Sequence, residues 1–457
     1  MESQQLLRIK RIVVEDLFGL YTHVIDLHMN DRITIIHGPN GVGKTVLLKM
    51  IEGVFNGKYL QLANTPFTLF QLAFDNGELL EVEAQGDVPG PTGSNGIETT
   101  RQLFFKLSRG GELLGEFPFS LSRNLVAELI PVIDRQIHWI HRIGPDEWLD
   151  ERTGESLSAP EIVLTYSDRL PANVRERVIA EPDWFTLLKQ RVRVYLVETQ
   201  RLLRTKINPE FSTFPGQRLR HLSTVKQYAE DLTRTISDNL AAYGGQSQVL
   251  DRSFPQRLIS GAIAAQDIVE LKAQLSDIEK KRSDFANIGL IDEGTQFNVG
   301  ELDKLDEAQR PTMTLFVSDN AQKLAILDNL AGRIKLFLDI VNKKFQNKHI
   351  SINRQQGMLA ETQGGRRFDL EALSSGEQHE LVLTYDLLFN VVPNTFVMID
   401  EPELSLHLFW QKSFLADLVG IVAKTQMDVL LATHSPYIAG DRTDLMVALT
   451  TDVAVSD

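Results

Sequence analysis

Apolar and polar residues alternate along the first forty positions of the chain. The runs LRIKRIVVEDL (7–17), HVIDLHM (23–29) and RITIIHG (32–38) are rich in β-branched residues at a period of two, which predicts strands. The spacing then changes: GKTVLLKMIEGVF (43–55) predicts a helix directly behind a glycine-rich turn. FTLFQLAFDNGELLEVEA (67–84) predicts a hairpin turning at Asp75-Asn76-Gly77. A Gly-, Pro- and Ser-rich loop (86–98), a second strand pair (100–118) and a helical stretch follow. RVRVYLVETQRL (191–202) adds a buried strand with Gln200 and Arg201 at its exit.

From about 206 the pattern becomes that of long helices. Ile268, Leu271, Leu275, Ile278 and Phe285 fall at alternating spacings of three and four, broken once at Arg282. Leu324, Leu327, Ala331, Ile334, Leu338, Val341 and Phe345 repeat the seam more cleanly. The expectation is an antiparallel pair of helices joined by a polar connection ending at Pro311, each about 30–45 Å long. After 350 strand and helix signals return, with TFVMIDE (395–401) and MDVLLATHS (427–435) as two apolar runs ending in chemistry-bearing residues. The fold class is therefore α/β, in three parts: an N-terminal lobe (1–205), a helical arm insertion (206–349) and a C-terminal lobe (350–457).

Composition narrows the class. A chain of 457 residues with 43% hydrophobic content has mass for two to three domains. No apolar stretch approaches the ~20 residues that span a bilayer, and MESQQLLRIK lacks the apolar region of a signal peptide, so no membrane role is expected. Cysteine is absent, which removes disulfides and thiolate chemistry and makes the cytoplasm the natural compartment. The net charge of −14 argues against a chain that coats nucleic acid. Any DNA contact would come through a partner or through the basic run 343–367, where Lys343, Lys344, Lys348, Arg354, Arg366 and Arg367 face only Glu361; the alternative is a solvated face.

Gly38-Pro39-Asn40-Gly41-Val42-Gly43-Lys44-Thr45 fits a phosphate-binding P-loop between a strand and a helix. Glycines let successive N–H groups point inward, and the helix N-terminus adds partial positive charge toward ATP phosphates. Lys44 would reach the β- and γ-phosphates, and the Thr45 hydroxyl would bind Mg²⁺. Asp400, at the tip of an apolar strand, would hold the same Mg²⁺, and the adjacent Glu401 would orient or deprotonate water. Two such carboxylates can instead cap the following element. His434 ends the next strand, where a neutral imidazole could donate to the γ-phosphate; a histidine there can also be structural. Gln71 is either a sensor of the γ-phosphate or an ordinary strand residue. His138 and His141 in HWIH read as packing residues.

The P-loop, a long insertion, LSSGEQ (373–378), VMIDEPELSLH (397–407) and LATHS (431–435), in that order, resemble the ABC-type ATPase heads of the structural-maintenance, RecF and OLD group. The likeness covers about half the chain. It implies a mixed sheet with helices, ATP and Mg²⁺ as cofactors, and a signature element of Ser374, Ser375, Gly376 and Glu377 that completes the nucleotide site of another copy in trans. Glu377 stands where transporters carry Gln, as in the DNA-maintenance branch. Ser375 replaces the usual Gly, and His407 stands where many ABC proteins carry the D-loop Asp, so that role is not carried across. SSGEQHELVLTYDLLF, IDEPELSLHLFWQKSF and THSPYIAGDRTDL look like the ATPase of Septu antiviral defence systems, with that of PARIS as a neighbour. That resemblance implies a homo-oligomeric, slow regulatory ATPase working with a separately encoded nuclease, HNH type or TOPRIM. With the chain ending about twenty residues after His434, such a nuclease is expected in trans. A RecF-like DNA-repair ATPase is the alternative; a transporter subunit fits poorly with the helical insertion.

Overall fold

The computed structural model describes residues 6–86, 101–120, 123–137, 139–144, 147–150, 156–166, 170, 181–197, 223–260, 264–292, 294, 299–404 and 406–449. Gln200, Arg201 and His138 lie outside the described residues. The chain divides into two compact units. One comprises Met1–Thr199, Val391–Leu404 and Gln411–Asp457; the other comprises Gln200–Asn390 and Ser405–Trp410.

The first unit is built on two sheets. Its parallel sheet has the strand order Arg193–Val197, Thr395–Asp400, Asp428–Thr433, Ile33–His37, Met446–Ala448. Strands Thr395–Asp400 and Asp428–Thr433 are buried at every position, as a sheet covered on both faces requires. The second sheet is antiparallel, in the order Tyr21–Asp26, Ile9–Leu17, Leu69–Phe74, Glu78–Gln85, Gln102–Arg109, Glu112–Ser120. The hairpin expected around Asp75-Asn76-Gly77 is present, with Leu69 paired to Glu83 and Ala73 to Leu79. The alternation that announced Leu69–Phe74 is realised as one inward face: Phe70, Leu72 and Phe74 are buried. They join one core with Leu47, Leu48 and Ile51 of the helix Lys44–Phe55 and with Phe396, Met398 and Leu430 of the parallel sheet. Burying each such side chain contributes about 1.5–3 kcal/mol.

In the second unit the helices Thr224–Ile259, Ile268–Asn287 and Arg310–Lys344 pack together. The predicted seam is buried at Leu271, Leu275, Ile278 and Phe285 and at Leu324, Leu327, Ala331, Ile334, Val341 and Phe345; Ile268 and Leu338 are half-buried. Arg282, the break in the pattern, reaches Asn320 at 2.7 Å, so a polar contact replaces an apolar one there.

The expected direction of pairing is corrected. Gln266 meets Thr314, Lys281 meets Asp328, and Asp284, Asn287 and Ile288 line one cavity with Lys335, Leu338 and Asp339. Both chain segments advance the same way, so these two helices are parallel. The antiparallel mate of Arg310–Lys344 is instead Thr224–Ile259, pinned by Arg257 to Asp319 and Lys323 to Asp251, each at 2.7 Å. A parallel pair is open to this chain because its connection runs back toward the start of the shorter helix, where Lys272 pairs with Asp303. Pro311 stands in the first turn of Arg310–Lys344, where its missing N–H costs no helical bond.

Beside these helices lies a three-stranded sheet, Lys348–Asn353, Gly357–Thr362 and Arg367–Phe368, followed by the helix Ser375–Tyr385. Among the described residues no helix is long and apolar enough to cross a membrane.

Candidate functional site

Three neighbouring parallel strands, Ile33–His37, Asp428–Thr433 and Thr395–Asp400, all end on one edge of the sheet, and each delivers a predicted residue there. Ligands bind at the carboxyl ends of parallel strands because the chain leaves the sheet there as loops. Strand Ile33–His37 leads through Gly38-Pro39-Asn40-Gly41-Val42-Gly43 into the helix that begins at Lys44. Gly43 sits at φ +92° with Leu17 so close that an added Cβ would lie 2.4 Å from Leu17 Cδ2, so only glycine fits.

Lys44 is buried, and its ammonium donates to Gly38 O at 2.8 Å, to Pro39 O at 3.0 Å and to His434 Nδ1 at 3.2 Å. Burial lowers its pKa, opposed by the nearby carboxylates Glu401, Glu403 and Asp400. Because Nδ1 accepts from Lys44, the neutral His434 ring carries its proton on Nε2, which faces Glu401 Oε1 at 3.4 Å. The Thr45 hydroxyl lies 3.0 and 3.1 Å from the two Asp400 oxygens. The structure thus gathers Lys44, Thr45, Asp400, Glu401 and His434 from segments almost four hundred residues apart in sequence.

Glu401 has φ +41°, a left-handed conformation that costs a non-glycine residue about 1–3 kcal/mol. Backbone bonds on either side hold it: Glu401 N donates to Ala432 O at 2.9 Å, and Leu404 N donates to Glu401 O at 3.1 Å.

Glu403 is a residue the sequence reading passed over. Its Oε1 accepts from the Thr433 hydroxyl at 2.8 Å, from His434 N at 2.6 Å and from Ser435 N at 3.0 Å. One carboxylate therefore shapes the whole turn that carries His434. The available signal was the repeated acid in DEPE, two positions beyond Glu401, but its partners become visible only when the strand ends meet.

The donor set of Thr45 and Asp400 suits Mg²⁺: both offer hard oxygen ligands, and this cation takes one or two protein groups, completing its shell with phosphate and water. Among the described residues no group of three or more His, Cys, Asp or Glu could hold a metal ion without such help.

Gln71 is not gathered into this set. It lies mid-strand, paired with Val13 and Glu81, and its amide donates to Glu81 Oε1 at 2.7 Å. That is the position of a ladder residue, the second of the two readings open for it.

The signature residues belong to the second unit. Ser374 is the N-cap of Ser375–Tyr385 and forms a capping box with Glu377. Glu377 Oε2 accepts from Ser374 N at 2.7 Å, Ser374 Oγ at 2.8 Å and Lys348 Nζ at 2.7 Å. Burial pushes the Glu377 carboxyl up, but Lys348 and the two Ser374 donors outweigh it and leave its pKa below the usual value. Ser375 is exposed at the first helical position. Farther along, Lys344 makes a buried ion pair with Glu380 at 2.5 Å, while Tyr228 donates to Asp386 and stacks on Tyr385 at 4.5 Å.

The basic run is largely neutralised. Lys344 and Lys348 serve Glu380 and Glu377, Arg367 pairs with Glu361, and Arg354 pairs with Asp292; Lys343 and Arg366 are exposed.

Residues 33–440 match the family described as "AAA domain, putative AbiEii toxin, Type IV TA system". The chain belongs to that family. The match takes in the P-loop, the whole helical unit, the Asp400-Glu401 strand and His434, and the fold is a P-loop ATPase fold, α/β with inserted helices. Among curated proteins none matches.

Solved structures with similar chains include the Smc head domain of Pyrococcus furiosus with an extended coiled coil, bound to the C-terminal domain of ScpA. It is 13% identical over 98% of this chain and 95% of that one, with a TM-score of 0.36. The SMC head domain from Thermotoga maritima is 9% identical over 97% and 95%, with a TM-score of 0.30. A Smc head with coiled coil and joint from Pyrococcus yayanosii is 10% identical over 97% and 95%, with a TM-score of 0.33.

Proposed function

We propose that this family member binds and hydrolyses ATP, slowly and as a homo-oligomer, and that the cycle controls a separately encoded nuclease in bacterial antiviral defence. The observation that carries the ATPase reading is the convergence of Lys44, Thr45, Asp400, Glu401 and His434 on one sheet edge.

In this reading the loop N–H groups and Lys44 hold the phosphates of ATP. Lys44 leaves Gly38 O, Pro39 O and His434 Nδ1 for the phosphate, exchanging neutral acceptors for a charged one. Glu401 then accepts the proton of the attacking water, and His434, held by Glu403 through its backbone, presents a ring N–H to the γ-phosphate. Thr45 and Asp400 would hold Mg²⁺, which would supply charge neutralisation for the phosphates. Ser374, with the open backbone N–H groups of Ser375 and Gly376, completes the site on a neighbouring copy.

The defence role rests on the likeness of LSSGEQHE, IDEPELSLH and THSPYIAGD to Septu-type ATPases. An HNH nuclease is the favoured partner and a TOPRIM nuclease the second choice. The arm and the neutralised basic run support action through a protein partner rather than through a broad basic surface.

The test is solution mass of wild type and Glu401→Gln with and without ATP, alone and with the product of the adjacent reading frame. ATP-dependent growth to at least a dimer, and co-purification of a nuclease, are expected. A single unchanging mass would rule out assembly through nucleotide.

A further inference from the structure

A P-loop works only if its peptide planes are turned the right way. Each N–H offered to a phosphate belongs to a rigid peptide unit whose carbonyl points in the opposite direction. Glycine makes such turns available but does not select them, since it adopts several conformations at similar energy. Something outside the loop must choose. At the peptide joining Val42 to Gly43 that choice is visible: His23 Nε2 donates to Val42 O at 2.8 Å.

We infer that His23 is a positioning residue for the nucleotide loop, acting by anchoring the Val42 carbonyl so that the Gly43 N–H is held toward the phosphates of ATP. The inference rests on the ATP-binding reading proposed above and adds a residue to it.

His23 belongs to the strand Tyr21–Asp26 of the antiparallel sheet, outside the motif and fifteen residues before its first glycine. The residue is 3% exposed, so water has little room to replace its hydrogen bond. No peptide bond among the described residues is cis; an anchored Val42 oxygen therefore turns the Gly43 N–H to the side of the loop away from His23. A carbonyl can only accept, so the ring must carry its proton on Nε2. Burial lowers the His23 pKa, keeping the ring neutral near neutral pH. Tyr21 stacks on the ring with centroids 5.8 Å apart and planes 11° apart, fixing its orientation. Leu17, on the paired strand, closes over Gly43 itself. The hairpin thus grips the loop twice, once by packing and once by a directed hydrogen bond.

The test compares three substitutions. His23→Leu fills much of the space without a donor. His23→Gln places an amide N–H near the position of Nε2, whereas the shorter His23→Asn stops near Nδ1. His23→Leu and His23→Asn are expected to weaken ATP affinity about tenfold, the scale of one buried hydrogen bond. Turnover at saturating ATP should stay within about threefold of wild type, because bound ATP restores the peptide orientation. His23→Gln should recover most of the affinity. If His23→Leu folds poorly, the Gln and Asn pair still decides the matter, since both are polar and differ only in reach. Equal affinities for these two, or an unaffected His23→Leu, would overturn the inference alone. Wild-type protein that binds ATP no better than Lys44→Ala would overturn the nucleotide reading, and this inference with it.

Discussion

The nucleotide edge of the parallel sheet and the signature turn of the helical unit treat their functional groups in opposite ways. At the sheet edge the side chains satisfy one another: Lys44 bonds two loop carbonyls and His434, and Thr45 bonds Asp400. At the signature turn the side chains cap the helix, with Ser374 and Glu377 exchanging bonds under Lys348. The N–H groups of Ser375 and Gly376 lie in the first helical turn, where the helix itself supplies no acceptor. On the proposed reading the first region exchanges partners when ATP arrives, whereas the second offers backbone donors to ATP held by another copy.

Glu401→Gln breaks the first region most deeply. It should retain ATP while losing about two to four orders of magnitude in turnover, the usual contribution of a general base. Single-turnover hydrolysis measures it, and normal turnover would remove Glu401 as the base. Lys44→Ala should weaken ATP binding on the order of a hundredfold, because a phosphate charge loses its buried partner; a nucleotide titration reads this directly. Ser374→Arg tests the second region. Nucleotide affinity should persist while turnover falls roughly a hundredfold with the loss of trans electrostatic stabilisation. A variant that hydrolyses normally would sink the trans arrangement.

Smaller effects sharpen the contrast. Glu403→Ala should lower turnover about tenfold with little change in ATP affinity, since it frees the turn carrying His434 rather than the phosphate cradle. Lys348→Met should cost about 1 kcal/mol of stability, as expected for a partly exposed ion pair. The effect should depend on pH with a definite sign. Glu377 has a depressed pKa in the folded state, so its contribution is complete above its ordinary value of 4.5 and is lost as pH falls through the folded value. Lys348→Met should flatten that part of the acid-denaturation curve. An unchanged curve would assign the depression to the Ser374 cap alone.

Short-range structure is legible in the chain: the strand, loop and helix around residues 38–45 and the strands that end at Asp400 and Thr433 each need only local signals. The hairpin 67–84 was legible for the same reason. The helical character of the arm is legible but the direction of its pairing is not, since a heptad seam records which face is apolar and not which way the neighbour runs. Thr224–Ile259, the true antiparallel mate of Arg310–Lys344, buries few residues beyond Ile236 and so left a weak seam. Gln71 matched a residue type, but the sheet register placed its amide against Glu81.

Sequence by itself determined the strand, glycine-rich loop and helix of residues 33–55, because backbone conformation and residue chemistry are local there. Tertiary structure alone decided that Glu403 holds the His434 turn, that His23 anchors Val42, and that most of the basic run is neutralised. Most of those relations join residues on different elements, and no periodicity encodes them. They exist only once strand ends and helix faces are brought within hydrogen-bonding distance.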